Sequence, residues 1–237
     1  MKNKKIVIIS GLVLVGVILV VALLLKGQLN SPEIKSGEKL AGANKQSYQT
    51  DNELVITKED QVIGSQKASL PIFVYEDVAN IFSAELAESL DKVYQAHKKE
   101  VALVVRPFVI KENINSRDSY LMLECAKEQG KWQEMRELLL AATRDQSLSV
   151  NNSVEYGQAL KLKERDFANC LTDLEKYEKL DELVLALAES NILGAPTMFI
   201  GEELIIGARP YDDYEDSSGT QVEGLFSLVE RKLGELE

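Results

Sequence analysis

The chain has 237 residues, 27 Lys and Arg against 38 Asp and Glu, and a formal net charge of −11. A surface this acidic repels nucleic acid and anionic headgroups, so polyanion binding is excluded as a first reading. Hydrophobic residues make up 45%, enough for one ordinary core, and a single His with two Cys leaves too few ligands for a Cys/His zinc centre.

Met1-Lys2-Asn3-Lys4-Lys5 leads into an apolar run from Ile6 to Leu25. As a helix, such a run covers roughly 30 Å, the thickness of a bilayer's hydrocarbon core. A secretory signal core is shorter and ends in small residues for cleavage, whereas this run passes straight into Lys26. Residues 6–25 are therefore expected to form an uncleaved transmembrane signal anchor. Lys2, Lys4 and Lys5 would hold residues 1–5 in the cytoplasm, making a single-pass protein of the cell membrane with the remainder outside. Residues 27–53 are polar and lack apolar periodicity, as in a flexible stalk.

From residue 54 to 237 the pattern is that of one folded domain. Leu54 to Ile56 suits a short first strand, and Leu70-Pro71-Ile72-Phe73-Val74-Tyr75 a buried one. Phe82, Leu86, Leu90 and Val93 recur at helical spacing, with Asn80 placed to cap that helix and its end near Lys99. Val101 to Val105 reads as a second buried strand, completing a parallel βαβ unit. Between about 113 and 191 come amphipathic stripes, among them Trp132, Met135, Leu138 and Leu139, then Phe167, Cys170 and Leu171, then Leu180, Leu183, Val184 and Leu187. These stripes read as core rather than as a cofactor box. The chain returns to β at Thr197–Ile200 and Glu203–Ile206 around Gly201-Glu202, a hairpin signal, and Val222, Leu225, Phe226, Val229 and Leu233 give a last helix.

Several local strings share an order with a known family. Ile56-Thr57-Lys58-Glu59-Asp60-Gln61-Val62-Ile63-Gly64-Ser65 resembles the lead-in to its first core strand, and Phe73-Val74-Tyr75-Glu76-Asp77 the strand end that delivers its active site. Arg106-Pro107-Phe108, Glu124-Cys125-Ala126 through Trp132, Gly194-Ala195-Pro196-Thr197-Met198-Phe199-Ile200 and Gly207-Ala208-Arg209-Pro210-Tyr211 resemble later signatures. Together they resemble the DsbA-like thioredoxin family, in which a helical domain interrupts a thioredoxin fold. The resemblance implies an α/β thioredoxin-like fold with an inserted helical domain, preceded by the transmembrane helix. It also implies a cis Ala195–Pro196 bond in a loop that offers backbone groups to an extended substrate.

The departure from the family is as informative as the match. Asn80, Ile81, Phe82 and Ser83 stand where the family carries Cys-x-x-Cys. Disulfide exchange needs a thiolate, and neither an amide nor a hydroxyl replaces it. The expected function is therefore binding of an extended polypeptide or of a membrane-complex protein, through Asn80, Ile81, Phe82, Ala195, Pro196 and Thr197, without a cofactor. Thiol–disulfide exchange as the family implies, and a scaffold role through the helical block, are the alternatives.

Cys125 and Cys170 are the only thiols and lie on apolar stripes. Outside the cytoplasm an even pair favours a disulfide, and closing that loop would be worth on the order of 4 kcal/mol. Two buried free thiols, or a relocated redox pair, are the other readings. His97, beside Lys98 and Lys99, is expected to be solvated. The cluster of Asp212, Asp213, Glu215 and Asp216 lacks EF-hand spacing and reads as a solvated loop rather than a calcium site. Asn151-Asn152-Ser153 fits a glycosylation sequon. The sequence holds no phosphate loop, no Gly-x-Ser-x-Gly and no recognisable pair of catalytic carboxylates.

Overall fold

Two strands with almost no polar side chains set the architecture. β2 (Leu70–Glu76) and β3 (Val101–Pro107) run parallel, Leu70 opposite Val101 and Val74 opposite Val105, and are buried over most of their length. A strand covered on both faces has no polar side to show, hence the continuous apolar runs. The computed structural model describes residues 54–236. The expected cytoplasmic tail (1–5), anchor (6–25) and stalk (27–53) lie outside the described residues. Among the described residues no helix is long and apolar enough to cross a membrane.

The main sheet has five strands in the order β1-β3-β2-β4-β5. β1 (Gln61–Ile63) lies antiparallel to β3, while β4 (Thr197–Ile200) lies antiparallel to β2 and forms a hairpin with β5 (Glu203–Ile206). Gly201 turns that hairpin with φ of 59°, a left-handed conformation that glycine adopts without a Cβ clash. A separate two-stranded ribbon joins β6 (Tyr214–Glu215) and β7 (Gln221–Val222).

The first strand is not at Leu54–Ile56. Thr57 N–H donates to Asp60 Oδ2 and Asp60 N–H to Thr57 O, making a tight turn, and the strand begins after it. Leu54 and Ile56 instead pack against Phe73, Tyr75, Val104 and Phe199 on one face of the sheet. Arg106 fastens them there. Its guanidinium donates to both Asp60 oxygens at 2.7 and 3.0 Å and to Val55 O at 2.9 Å, and lies 4.9 Å from the Phe73 ring centroid.

The opposite face of the sheet, with Ile72, Val74, Leu103, Val105, Met198 and Ile200, is covered by α1 (Ile81–Ala96) and by α7 (Leu225–Gly234). α1 sends Leu86, Leu90 and Val93 onto the sheet, the i, i+4, i+7 spacing of one helix stripe. It ends at His97 rather than near Lys99. His97 is not solvated as expected: only 13% of its side chain is exposed, its Nε2 is 3.0 Å from Glu230, and its ring lies beside Phe226. α7 starts at Leu225, because Val222 is taken by the β6–β7 ribbon.

Between β3 and β4 stand α2 (Ile114–Lys127), α3 (Trp132–Arg144), α4 (Ser153–Ala159), α5 (Glu164–Leu171) and α6 (Leu174–Glu189). Met122, Cys125, Ala126, Met135, Leu139, Phe167 and Cys170 form their core, which continues onto Val78, Ala84 and Ala87. α1 thus packs large residues against the sheet and small ones against the helical block.

Candidate functional site

The loop from Asp77 to Asn80 leaves the C-terminal end of β2 and opens α1. Asn80 takes the N-cap: its Oδ1 accepts from Phe82 N–H at 2.8 Å and Ser83 N–H at 3.4 Å. These are two of the donors a helix leaves without an intrahelical partner, and they are where a thiolate at this position would be held. Here the amide side chain uses them. Ser83, at the second cysteine position, is buried, and its Oγ accepts from Asp77 N–H at 3.3 Å. Neither position offers a thiol, and both side chains are engaged in holding the turn.

Asp77 is buried as well. Burial pushes its carboxyl pKa up, against the opposing hydrogen bonds from the Ser116 hydroxyl and Ala79 N–H. Beside it, Glu76 forms a buried ion pair with Arg136 of α3, with Arg136 Nε to Oε1 at 2.8 Å and Nη2 to Oε2 at 2.6 Å. Burial alone would lower the Arg136 pKa, but the charge and hydrogen bonds of Glu76, with the carboxylates of Asp91 and Glu137, together outweigh it and the guanidinium ends above its ordinary value. Nothing local in the sequence marks this pair. Arg136 reads as a solvent-facing charge, yet it sits on the same face as Met135, Leu139, Leu140 and Thr143 and is only 1% exposed.

The register brings the second half of the site alongside. Tyr75 pairs with Thr197, so the start of β4 lies next to the end of β2. The Ala195–Pro196 bond is cis. Pro196 O accepts from Gly207 N–H at 2.8 Å, and the Thr197 hydroxyl donates to Gly194 O at 2.7 Å. Pro196 and Thr197 are buried and Ala195 is half-buried. Around this loop the surface is apolar: Phe82 is 55% exposed, Ile81 37%, Leu193 90% and Ile206 71%. Phe82, Glu85 and Ser89 of α1 face Gly207, Ala208, Arg209 and Pro210 across an open cleft of about 420 Å³.

The two cysteines are elsewhere. Cys125 of α2 and Cys170 of α5 are joined by a disulfide with Cα atoms 5.7 Å apart, both buried in the helical block. Among the described residues no group of His, Cys, Asp and Glu is arranged to hold a metal ion. Asp213 and Asp216 accept backbone N–H groups from Gly224, Ser218 and Thr220, so this acidic segment organises its own loop.

A thioredoxin family model matches residues 56–217, a span that includes Asn80–Ser83 and Pro196. The fold also resembles solved structures of thiol–disulfide proteins. The catalytic domain of Proteus mirabilis ScsC superposes with a TM-score of 0.60 at 16% identity, over 78% of this chain and 95% of that one. The thiol-disulfide exchange protein α-DsbA2 from Wolbachia pipientis gives 0.59 at 13% identity, over 80% and 92%. A periplasmic thioredoxin-like protein from Salmonella enterica serovar Typhimurium gives 0.55 at 20% identity, over 74% and 90%. Comparison with curated protein sequences gave no match.

Proposed function

Because the chain belongs to the thioredoxin family yet carries Asn80 and Ser83 where exchange chemistry needs sulfur, we propose that its DsbA-like domain binds extended polypeptide without exchanging disulfides at this position. The observation that carries the reading is the exposed Phe82 lining a cleft whose opposite wall, at Gly207, is hydrogen-bonded to Pro196. An isolated exposed Phe means little, but exposed apolar side chains from the α1 start, from Leu193 and from the end of β5 flank one loop. Asn80, Ile81, Phe82, Ala195, Pro196 and Thr197 are the contact residues in this reading. Loss of the thiol leaves the surface able to hold a client while removing the covalent step. The domain would work outside the cytoplasm, held at the cell membrane through residues 6–25, with a membrane-complex protein as the other class of partner.

A photoreactive side chain introduced at Phe82 should crosslink an unfolded polypeptide, and Phe82→Glu should reduce peptide binding by about tenfold, as expected for removal of an apolar anchor. No crosslink at Phe82 above that of an exposed α4 position such as Glu155 would remove the reading.

The Cys125–Cys170 disulfide, in a fold otherwise seen in exchange proteins, supports a second reading in which it is the exchanging pair. An insulin-reduction assay separates the two. Activity abolished by Cys125→Ser would establish exchange, and absence of activity favours binding alone.

A further inference from the structure

A second cleft, sharing no lining residue with the one at Phe82, opens between the C-terminal ends of β2 and β3 and the helical block, with a volume of about 310 Å³. That volume lies at the lower end of cavities that hold small molecules. Its walls are apolar and aromatic, with Val105, Leu123, Trp132 and Leu183 among them, and its charged lining is mainly carboxylate.

Most of that charge is already answered. Asp60 is paired with Arg106 and Glu76 with Arg136. Glu124 is different: its nearest cation, Lys127 Nζ, stands at 3.8 Å, beyond hydrogen-bonding distance. Beside Glu124 lies Tyr120, a cleft-lining side chain only 9% exposed whose hydroxyl keeps contact with solvent. Burial raises the Tyr120 pKa and the Glu124 charge raises it further, so the hydroxyl stays protonated and neutral. One side of the cleft therefore offers a carboxylate and a phenol oxygen, both hydrogen-bond acceptors, while Trp132, Val105, Leu123 and Leu183 supply an aromatic and aliphatic lining. Ammonium groups are bound by such acceptors and by aromatic faces, and methylene chains by such walls.

We propose that this cleft binds an alkylammonium group, the charged end of a free aliphatic diamine or of a lysine side chain, with Tyr120 and Glu124 receiving the nitrogen and Trp132 and Leu183 flanking the methylenes. The assignment is independent of peptide binding at Phe82 and stands or falls on different residues.

Trp132 is the sole tryptophan, so its emission reports the site directly. The full-length chain is titrated with 1,5-diaminopentane, with N-acetyl-lysine-N-methylamide and with 1-pentanol. The expected result is a saturable change in emission with at least one of the two amines and none with the alcohol. Saturation by the diamine alone identifies a free amine as the ligand, and saturation by the lysine derivative alone identifies a polypeptide side chain. Glu124→Gln should weaken amine binding by about tenfold or more and Tyr120→Phe by about threefold, the scale of a hydrogen bond to a charged and to a neutral group. Equal responses to amine and alcohol in the wild-type chain would overturn the proposal, as would unchanged amine affinity in a Glu124→Gln chain with a wild-type urea midpoint.

Discussion

Glu76 and Arg136, 60 residues apart in sequence, meet through two charge-assisted hydrogen bonds in a place almost closed to solvent. Glu76 ends β2, one residue before the loop that opens α1, and Arg136 lies within α3. The pair therefore ties the sheet's central strand to the helical block beneath the candidate site. Leaving one charge buried alone is the costly event. Arg136→Met or Glu76→Gln should destabilise the domain by about 3–5 kcal/mol in urea denaturation, whereas replacing both with apolar residues should recover most of that loss. Strict additivity of the two single changes would show that the pair is not coupled.

Reducing the Cys125–Cys170 bridge should cost about 4 kcal/mol, the chain entropy released when a loop spanning 45 positions is opened. The comparison is the urea midpoint of the oxidised chain against a Cys125→Ala/Cys170→Ala chain. In the oxidised protein, thiol titration under denaturing conditions should find no free sulfhydryl.

Asn80 gives a paired expectation. Asn80→Ala removes an N-cap and should lower stability by about 1 kcal/mol, while Asn80→Ser should nearly restore it. Asn80→Cys frees the N–H groups of Phe82 and Ser83 for a new sulfur, which should then titrate below the free-cysteine value of about 8.5. Thiolate absorbance followed against pH measures this directly, and a pKa at or above the free value would mean that the turn no longer stabilises an anion.

Asp77 predicts the sign of a pH effect. Its folded-state pKa is raised by burial, so the folded chain holds that proton more firmly than the unfolded one. The associated stability is fully present below the unfolded aspartate value of about 3.9 and is lost as pH rises through the folded value. Asp77→Asn removes this loss while keeping an oxygen for Ala79 N–H. It should therefore raise the urea midpoint relative to wild type at neutral pH, with the difference shrinking toward pH of about 3.9 and below. A constant difference across that range would locate the effect outside this carboxyl.

The parts of the fold legible in sequence are those where one physical requirement dominates. β2 and β3 are covered on both faces, so their apolar runs admit few other readings, and α1 announces itself through Leu86, Leu90 and Val93 behind Asn80. β1 was misplaced because Leu54 and Ile56 alternate as a strand does. Their burial comes instead from Arg106 drawing the segment onto Phe73 and Tyr75, a contact set by residues about fifty positions away. The same limit hid Arg136, whose partner lies in another element, and the burial of Tyr120, which shares its helix with buried Ser116 and Ser119 rather than an unbroken apolar stripe. His97 looked solvated for want of any local sign of Glu230 and Phe226. Local pattern finds burial when it is shared along an element, and misses it when a single distant residue creates it.

Ala84 and Ala87 lie where α1 meets the helical block, about one and two turns from the capped end. With so little side chain there, the helix acts as a thin shim between two cores, and its position is fixed from both sides at once. A ligand that pushed on Phe82 would lean on the same shim, so hydrogen exchange in α3, a helix that never touches the ligand, becomes a gauge of occupancy at the exposed end.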